Sequence, residues 1–302
     1  MIDKGRQLIN SKNHVRLLIH KTSLTLISIA IINSLFLYPN IVNYEMDKIY
    51  HKVEKIQIIR NLEALFQVCF KKEQEFLCIG SEQNDARATF YKHMMNILNS
   101  SIHLMIFSET TLLTEDWWLK KLPKYKISKR IFSTNPQESR RIERGYIDQY
   151  LLFSYFNFIF HTFESSFRII CENCFNDENY ITKENGKSKN RDIKNLCEVI
   201  LKKLNLLTDD RESFLEIVVH FRNSVHSNGV FICEKQKSPS SYKWKYNSYR
   251  FNHGKQITLE NKSDLWAEYF RFTREFIGIF TDVINHPTVK KYRFIEDITE
   301  PG

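Results

Sequence analysis

The sequence predicts a mainly α-helical fold, a helical bundle with a small inserted β-ribbon, preceded by an N-terminal helical region. Composition is the first reason, because 302 residues include 23 Phe and 14 Tyr but only 8 Gly and 6 Pro, which favours helices around a substantial core. Apolar stripes at helical spacing are the second. An alternating, aromatic-rich stretch late in the chain is the third, and it is typical of a β-ribbon.

The first segment, residues 1–45, contains an uncharged apolar stretch. No charged residue occurs from Thr22 to Tyr44, and several Lys and Arg precede it. A stretch of about 20 uncharged residues is long enough to cross a bilayer, with the basic flank in the cytoplasm. Ser, Asn and Pro dilute it, and no small-x-small cleavage site follows. Three interpretations stay open: membrane association through residues 22–44, a buried helix, or a dispensable extension before Met46.

Residues 46–136 are predicted to form an N-terminal helical region. Apolar residues recur at helical spacing in Ile49 to Phe70 and again in Ala86 to Phe107, which indicates two helices. A break is expected between them at Cys78 to Ser81, and Trp117 to Arg130 is interpreted as a basic, irregular connection.

A boundary is predicted near Ser133 to Gln137, where Ser-Thr-Asn-Pro interrupts the helical pattern, so that residues 137–302 form a second domain. Its longest predicted helix runs from Ile147 to Phe175. One apolar stripe at spacings of three and four marks it: Leu152, Phe156, Ile159, Phe163, Phe167, Ile170 and Cys174. The polar stretch Asn176 to Asn190 is interpreted as a loop, and Ile193 to Leu206 as a shorter helix.

The next helix is predicted to begin at Thr208 or Asp209, since either can cap its N-terminus. Its inward stripe is Phe214, Val218, Phe221 and Val225, and Asn228-Gly229 should end it, because Gly adopts the left-handed conformation that closes helices.

The β-ribbon is expected within residues 230–259, from Val230 to Cys233 and Tyr242 to Leu259, with a turn at Asn252-His253-Gly254. We expect a half-buried ribbon with one wet face, although its aromatics and lysines could also stack bases and bind phosphates. Ser263 should cap the last helix. Its stripe is Leu265, Tyr269, Phe272, Phe276, Phe280 and Val283, and His286-Pro287 should end it.

The polar cluster with the clearest chemistry lies at the end of the Phe214 to Val225 helix. Arg222 and His226 are four residues apart, so they project from the same face and can reach one phosphate. An imidazole can move a proton to or from a ribose hydroxyl near neutral pH, and a guanidinium can stabilise charge on the phosphate. Asn223 could orient either group. On spacing alone, Arg222 could equally pair with a carboxylate and His226 could be an ordinary helix-end histidine.

The run Arg222-Asn223-Ser224-Val225-His226 through Gly229 resembles the Arg-Asn...His motif of the HEPN superfamily, whose members are helical bundles. The resemblance covers about residues 140 to 286. Family members carry a polar residue on an earlier long helix, and Glu164 lies in such a segment. The resemblance implies that Glu164 orients Arg222 through a carboxylate–guanidinium pair. An i,i+4 surface pair between Glu164 and Arg168 is the alternative.

The resemblance also implies a metal-independent endoribonuclease that acts as a homodimer, leaves a 2′,3′-cyclic phosphate, needs no cofactor, and serves as a toxin or in anti-phage defence. RNA as a partner agrees with the net charge of +9. The six cysteines are typical of reduced core thiols, so a cytoplasmic location is expected, with membrane association as the alternative. A non-catalytic HEPN-like module that binds RNA, a nucleotide or a protein, and a membrane-tethered interaction protein, remain alternative functions.

Overall fold

Helices with one buried face make up most of the described part of the chain. The computed structural model describes residues 39–77, 84–114, 116–121, 136–176, 181–184, 187–225, 227, 230–232, 240–259 and 264–297. The chain divides into two compact units, Met1–Gln57 and Ile58–Gly302. Helix α1, Pro39–Leu77, begins in the first unit and continues into the second. It is longer at both ends than the predicted Ile49 to Phe70.

The apolar N-terminal stretch mostly lies outside the described residues. Residues 22–38 belong to that part, whereas residues 39–44 are helical. Among the residues described, none of the helices is both long and apolar enough to span a bilayer. The three interpretations of residues 1–45 therefore stay predictions.

In the second unit, helices α2, Ala86–Phe107, and α3, Pro136–Cys174, pack against each other. The bounds of α2 are those predicted. Two π-helical turns, Ser108–Leu112 and Trp117–Lys121, follow α2. The second lies at the start of Trp117 to Arg130, where an irregular connection was expected. The proposed boundary at Ser133 to Gln137 falls mostly outside the described residues, and the division into 46–136 and 137–302 stays a prediction.

The stripe predicted on α3 forms the centre of the core. Every one of its members is buried: Leu152, Phe156, Ile159, Phe163, Phe167, Ile170 and Cys174. Phe156 stacks on Tyr269 with ring centroids 4.5 Å apart, and Phe163 meets Phe276 at 4.6 Å. Such aromatic contacts stabilise a core by about 0.5–1.5 kcal/mol each beyond the area they bury. They fix α3 against the last long helix.

One prediction that was wrong concerns residues 176–190, which were interpreted as a loop. The structure forms an antiparallel hairpin there, with strand β1, Ile181–Glu184, paired to β2, Lys187–Asn190. The two residues between the strands are Asn185-Gly186, and an Asn-Gly dipeptide favours the two-residue turns that match strand twist. A polar stretch can therefore form a hairpin where the residues between its strands favour a tight turn.

Helices α4, Ile193–Lys203, and α5, Asp209–Val225, pack on each other next to α3. Asp192 caps α4, because its carboxylate accepts a hydrogen bond from the backbone N–H of Asn195 at 3.0 Å. At α5 the Thr208 hydroxyl oxygen accepts from the backbone N–H of Arg211 at 3.3 Å, so the predicted cap is confirmed. The predicted end of α5 at Asn228-Gly229 lies outside the described residues.

The predicted β-ribbon is present. Strands β4 (Ser240–Trp244), β5 (Asn247–Phe251) and β7 (Thr258–Leu259) form one antiparallel sheet, and β3 (Val230–Phe231) pairs with β6 (Lys255–Gln256). Its main turn is at Lys245, whose φ is +51°, and a second turn includes Gly254, as predicted.

The two faces of the ribbon differ in burial. Trp244, Tyr249 and Phe251 are buried, whereas Lys243 and Arg250 are exposed. Three of the aromatics are therefore core residues that cannot stack on bases, which agrees with the expected half-buried ribbon.

The final elements close the second unit. Helix α6, Leu265–Asn285, is capped by Asp264, whose carboxylate accepts from the N–H of Trp266 at 3.0 Å. The prediction that Ser263 is the cap was wrong, because the adjacent Asp264 supplies the acceptor. His286 ends α6 as predicted, and a short helix α7, Pro287–Lys290, follows.

Candidate functional site: a cleft at the Arg222–Asn223 motif

An open cleft of about 400 Å³ lies where α3, the beginning of α4 and the last turns of α5 meet. Its floor is mainly apolar and its rim carries charged and amide side chains. The lining residues are Phe160, Glu164, Asp192, Ile193, Lys194, Asn195, Val219, Arg222 and Asn223. Three of the four residues predicted for the site, Glu164, Arg222 and Asn223, therefore line one cleft.

Arg222 is half-buried in this cleft because Val218 and Phe221 on the same helix face the core and carry its side chain to the edge of the apolar face. Its Nη1 donates a long hydrogen bond to Asn223 Oδ1 at 3.3 Å. Its Nε is buried and has no hydrogen-bond partner among the described residues. In the same part of the chain no carboxylate forms an ion pair with Arg222.

Glu164 lines the cleft but does not make the expected pair with Arg222. Its Oε1 accepts hydrogen bonds from Arg168 Nη2 at 2.7 Å and Nε at 3.1 Å. Arg168 is further held by the Arg191 carbonyl, to which its Nη1 donates at 3.0 Å. Residues one helical turn apart are already neighbours, and the extra bond to Arg191 fixes this arrangement. The i,i+4 alternative is the one that forms.

The remaining motif residues differ in what the structure says of them. Asn223 is exposed at the cleft, and its amide oxygen is the acceptor for Arg222. Helix α5 ends at Val225, and His226 lies outside the described residues. The prediction that His226 meets Arg222 at one phosphate therefore stays a prediction.

Lys194 is a second cation on the cleft wall, but its charge is balanced. Its Nζ pairs closely with Glu216 Oε1 and lies 3.4 Å from Glu198 Oε1. Partial burial lowers the pKa of Lys194, and the hydrogen bond and charge of Glu216 outweigh that effect, so the pKa is raised. Arg222 thus differs from Lys194 in lacking an acidic partner among the described residues.

Six lining residues were not among those predicted for the site, and three of them are polar: Asp192, Lys194 and Asn195 at the beginning of α4. The sequence shows an Asp before an apolar-periodic run, which indicates a helix cap. The sequence around Asp192 contains no sign that this helix end lines a cleft, because only the packing of the helices brings it beside Arg222.

His220 on α5 lies outside the cleft, under the ribbon. Its ring contacts the rings of Phe231, Tyr242 and Phe251, with centroids 4.7–5.4 Å apart. Burial lowers the pKa of His220, and Glu216, with Oε2 at 3.9 Å from Nε2, only partly offsets this. The neutral imidazole is therefore the favoured form, and His220 joins α5 to the ribbon.

Four of the six cysteines agree with the expectation of core thiols, and Cys78 and Cys233 lie outside the described residues. Cys69, Cys171, Cys174 and Cys197 are free and buried. Burial raises their thiol pKa values, to about 12 for Cys69 and about 11 for Cys174, so these thiols are poor nucleophiles. Within the described ranges no group of His, Cys, Asp and Glu side chains is arranged to hold a metal ion.

Comparison of the chain with protein-family models, with curated proteins and with solved structures gave no significant match. The class of site is therefore defined by its own chemistry. It is an open cleft with an apolar floor, polar amides and a guanidinium that has no acidic partner among the described residues, which suits a ligand that carries both an anionic group and a flat apolar group.

Proposed function

We propose that this chain is a HEPN-like, metal-independent endoribonuclease whose active site is built around Arg222, Asn223, His226 and Glu164. Its substrate is RNA, it works as a homodimer, and it serves as a toxin or an anti-phage effector in the cytoplasm. The observation that carries the proposal is the position of the Arg222 guanidinium and its lack of an acidic partner among the described residues. Its guanidinium lies in a cleft next to Asn223, and its positive charge has no acidic partner among the described residues.

The balance of charges around Arg222 supports a role in binding. A structural arginine at a half-buried position normally pairs with a nearby carboxylate. Glu164 is on the same cleft wall, yet Arg168 takes both of its hydrogen bonds. A phosphate diester would supply the negative charge and the acceptors that the fork of Arg222 lacks.

In the proposed reaction, His226 accepts the proton of a ribose 2′-hydroxyl, or donates one to the leaving oxygen. The 2′-oxygen attacks the adjacent phosphorus, the bond from phosphorus to the 5′-oxygen breaks, and the products are a 2′,3′-cyclic phosphate and a 5′-hydroxyl. Arg222 stabilises the extra negative charge that develops on the phosphate oxygens. Glu164, held by Arg168, is a wall residue of the site and not the partner that orients Arg222.

The homodimer is the second part of the proposal. Exposed apolar side chains form a row on α3, namely Ile142, Tyr146 and Tyr150, which are 46%, 63% and 70% exposed. These residues are four apart, so they share one face of the helix. A second copy of the chain would cover that row, and the two motif helices would then build one composite site. Analytical ultracentrifugation of the wild type and of Tyr146→Glu tests it, with a shift towards monomer expected in the variant.

The central experiment measures cleavage of a labelled single-stranded RNA in EDTA. Wild type should cleave it and leave a cyclic phosphate, while Arg222→Ala and His226→Ala should lose at least 100-fold in rate, since each removes a group that acts in the transition state. Arg250→Ala is the matched control, because it removes one exposed arginine outside the cleft. Unchanged circular dichroism shows that the variants are folded. Full activity in both site variants would reject the proposal.

A non-catalytic HEPN-like module is the alternative, and the motif spacing favours it. Three residues separate Arg222 from His226, whereas the family pattern usually has four to six. This alternative expects RNA or nucleotide binding that depends on Arg222 without any turnover. A protein that binds RNA, loses binding in Arg222→Ala and releases no product over hours supports the module and not the enzyme.

A membrane-tethered interaction protein is the remaining alternative, based on the uncharged residues 22–44. Cell fractionation of the full chain and of a version that begins at Met46 distinguishes the two locations. If the full chain is in the membrane fraction and the shorter version is not, the N-terminal segment is an anchor. If both are in the soluble fraction, the cytoplasmic location proposed above stands.

A further inference from the structure

The cleft contains acceptor groups that the proposed reaction does not use. Asp192 stands at the beginning of α4, exposed to solvent, and lines the same cleft as the α5 residues Val219 and Arg222. Catalysis at a phosphate needs no second carboxylate there. A negative group near a phosphate site would even weaken anion binding, so its position suggests contact with a different part of the ligand.

The Asp192 carboxylate is fixed in orientation. Oδ1 accepts from the backbone N–H of Asn195 at 3.0 Å, and Oδ2 is closely hydrogen bonded to the Asn195 side-chain amide. An ionised carboxylate offers about four acceptor positions, so about one on each oxygen remains. Two acceptors held side by side form a rigid fork that suits a ligand with two adjacent hydrogen-bond donors.

The rest of the cleft suits the ligand that would place such donors there. Phe160, Ile193 and Val219 supply an apolar floor, and Arg222 supplies a cation that has no acidic partner among the described residues. A volume of about 400 Å³ is at the small end of ligand pockets, which hold roughly 300–1,000 Å³. One nucleotide unit has the required parts: a phosphate for Arg222, a flat base for the floor, and a hydrogen-bonding base edge.

We propose that the cleft selects guanine, with Asp192 accepting hydrogen bonds from the N1–H and the exocyclic amino group of the base. This inference rests on the proposed function, because it gives the RNA at Arg222 a base preference. Guanine is the base whose Watson–Crick edge carries two adjacent donors. Adenine and cytosine carry one amino group beside an acceptor, and uracil carries one N–H between two carbonyl oxygens, which the carboxylate would repel.

The test measures binding of guanosine and uridine 5′-monophosphates to the full chain by isothermal titration calorimetry. A good bidentate contact to a base contributes about 1–3 kcal/mol of discrimination, which corresponds to roughly 5- to 150-fold in affinity. Wild type should bind the guanine nucleotide more tightly by a factor in that range. Asp192→Asn and Asp192→Ser should bring the two affinities close together, mainly by weakening the guanine nucleotide.

The two substitutions preserve the helix, because Asn and Ser are also good N-caps. Asp264→Asn is the matched control, since Asp264 also caps a helix, α6, by accepting from a backbone N–H, that of Trp266 at 3.0 Å, and is not a lining residue of the cleft. It should leave both affinities unchanged. Circular dichroism and thermal unfolding of all variants confirm that the fold is intact.

The results distinguish failure of the guanine site from failure of the proposed function. Equal affinities in wild type, no binding of either nucleotide, or a preference that survives both Asp192 substitutions overturns the inference. The proposed function fails separately, if RNA is not cleaved and Arg222→Ala binds both nucleotides as the wild type does. Guanine selectivity that is lost in the Asp192 variants but accompanied by no cleavage supports the base site and rejects the enzyme. Cleavage after all bases at equal rates supports the enzyme and rejects the base site.

Discussion

Arg87 and Arg222 are chemically identical and stand in opposite surroundings. Arg87, at the start of α2, forms a bidentate pair with Asp85 at 2.8 and 2.5 Å and donates to the carbonyls of Tyr292 and Arg293 at 3.0 and 3.1 Å. Arg222 has one long bond to its neighbour Asn223 and a buried Nε without a partner among the described residues. The Arg87 side chain is 4% exposed, whereas Arg222 opens onto a cleft.

The difference shows what each arginine does. A charge that is fully buried and fully hydrogen bonded holds two segments together, and removing it leaves its partner unpaired. A charge left unsatisfied at the edge of a cleft contributes little to stability and is available to a ligand. Substitution by Ala should therefore lower stability strongly at Arg87 and hardly at all at Arg222.

The largest effect is expected for Arg87→Ala. It leaves the buried carboxylate of Asp85 unpaired, which costs about 3–5 kcal/mol and lowers the melting temperature on the order of 10 °C in a unit of this size. Arg222→Ala should change the free energy of unfolding by about 0.5 kcal/mol or less. Urea denaturation followed by circular dichroism measures both. Equal losses would show that Arg222 is also a structural residue.

A smaller loss of stability is expected at another buried carboxylate, that of Glu268. Glu268 is fully buried and accepts hydrogen bonds from Tyr249, at 2.6 Å, and closely from Asn247 and Arg271. Burial and the adjacent carboxylate raise the pKa of Tyr249, so its hydroxyl is a donor. Tyr249→Phe should cost about 1.5–3 kcal/mol, the usual contribution of a hydrogen bond to a charged group.

Tyr246→Phe is the control for that substitution, because Tyr246 is 90% exposed. Both variants are compared by chemical denaturation. A Tyr249→Phe variant as stable as Tyr246→Phe would show that the hydrogen bond from Tyr249 to Glu268 does not hold β5 to α6.

Arg168→Gln tests why Glu164 does not pair with Arg222 in the cleft that both residues line. The Arg168–Glu164 pair is partly exposed, so its loss should change stability by about 0.5 kcal/mol or less. The freed Glu164 would then compete for Arg222 in the same cleft. RNA affinity should fall, and the salt dependence of binding should decrease by about one phosphate contact. Arg250→Gln is the control for lost charge. Filter binding of RNA at several salt concentrations distinguishes Arg168→Gln from Arg250→Gln. Equal salt dependence of RNA binding in the two variants would argue against competition between Glu164 and RNA for Arg222.

The smallest effect concerns pH. Burial lowers the pKa of His220 from its ordinary 6.5, so the neutral form stabilises the fold above about pH 6.5 and this contribution is lost as the pH falls through the lowered folded-state pKa. Between about pH 7 and 5, wild type should lose stability more steeply than His220→Gln. His161→Gln, at an exposed position on α3, should behave as the wild type. Parallel curves for all three proteins would contradict the prediction.

The fold was largely predictable from the sequence, because periodicity reports directly on burial. The α3 stripe is buried at every position, and Phe214, Val218 and Phe221 on α5 are buried as well. The β1–β2 hairpin was missed although Asn185-Gly186 marks such a turn, because polar strand residues carry no burial pattern. Caps are ambiguous where two residues compete, as Asp264 did with Ser263.

The site was predictable only in part. The Arg222–Asn223 motif and Glu164 do line one cleft. Helical spacing fixes which side chains share a face of each helix, and the packing of α3 against α5 brings the two faces together. The predicted partner of Glu164, Arg222, was wrong. The choice between Arg168 and Arg222 depends on the further bond that Arg168 donates to the Arg191 carbonyl. Asp85, Glu268 and Asp192 were missed, since nothing in their local sequence distinguishes a tertiary partner from solvent.

The bonds from Arg87 to residues 292 and 293 also bear on biosynthesis. They join positions 205 and 206 residues apart in the chain, and the backbone N–H of Ala86 donates to the Ile295 carbonyl at 2.8 Å. A nascent chain leaves the ribosome from its N-terminal side, so α2 emerges long before these partners do. Synthesis adds about 5–20 residues each second. The start of α2 therefore waits on the order of ten seconds or more for its partners, an interval in which a chaperone can bind the incomplete core.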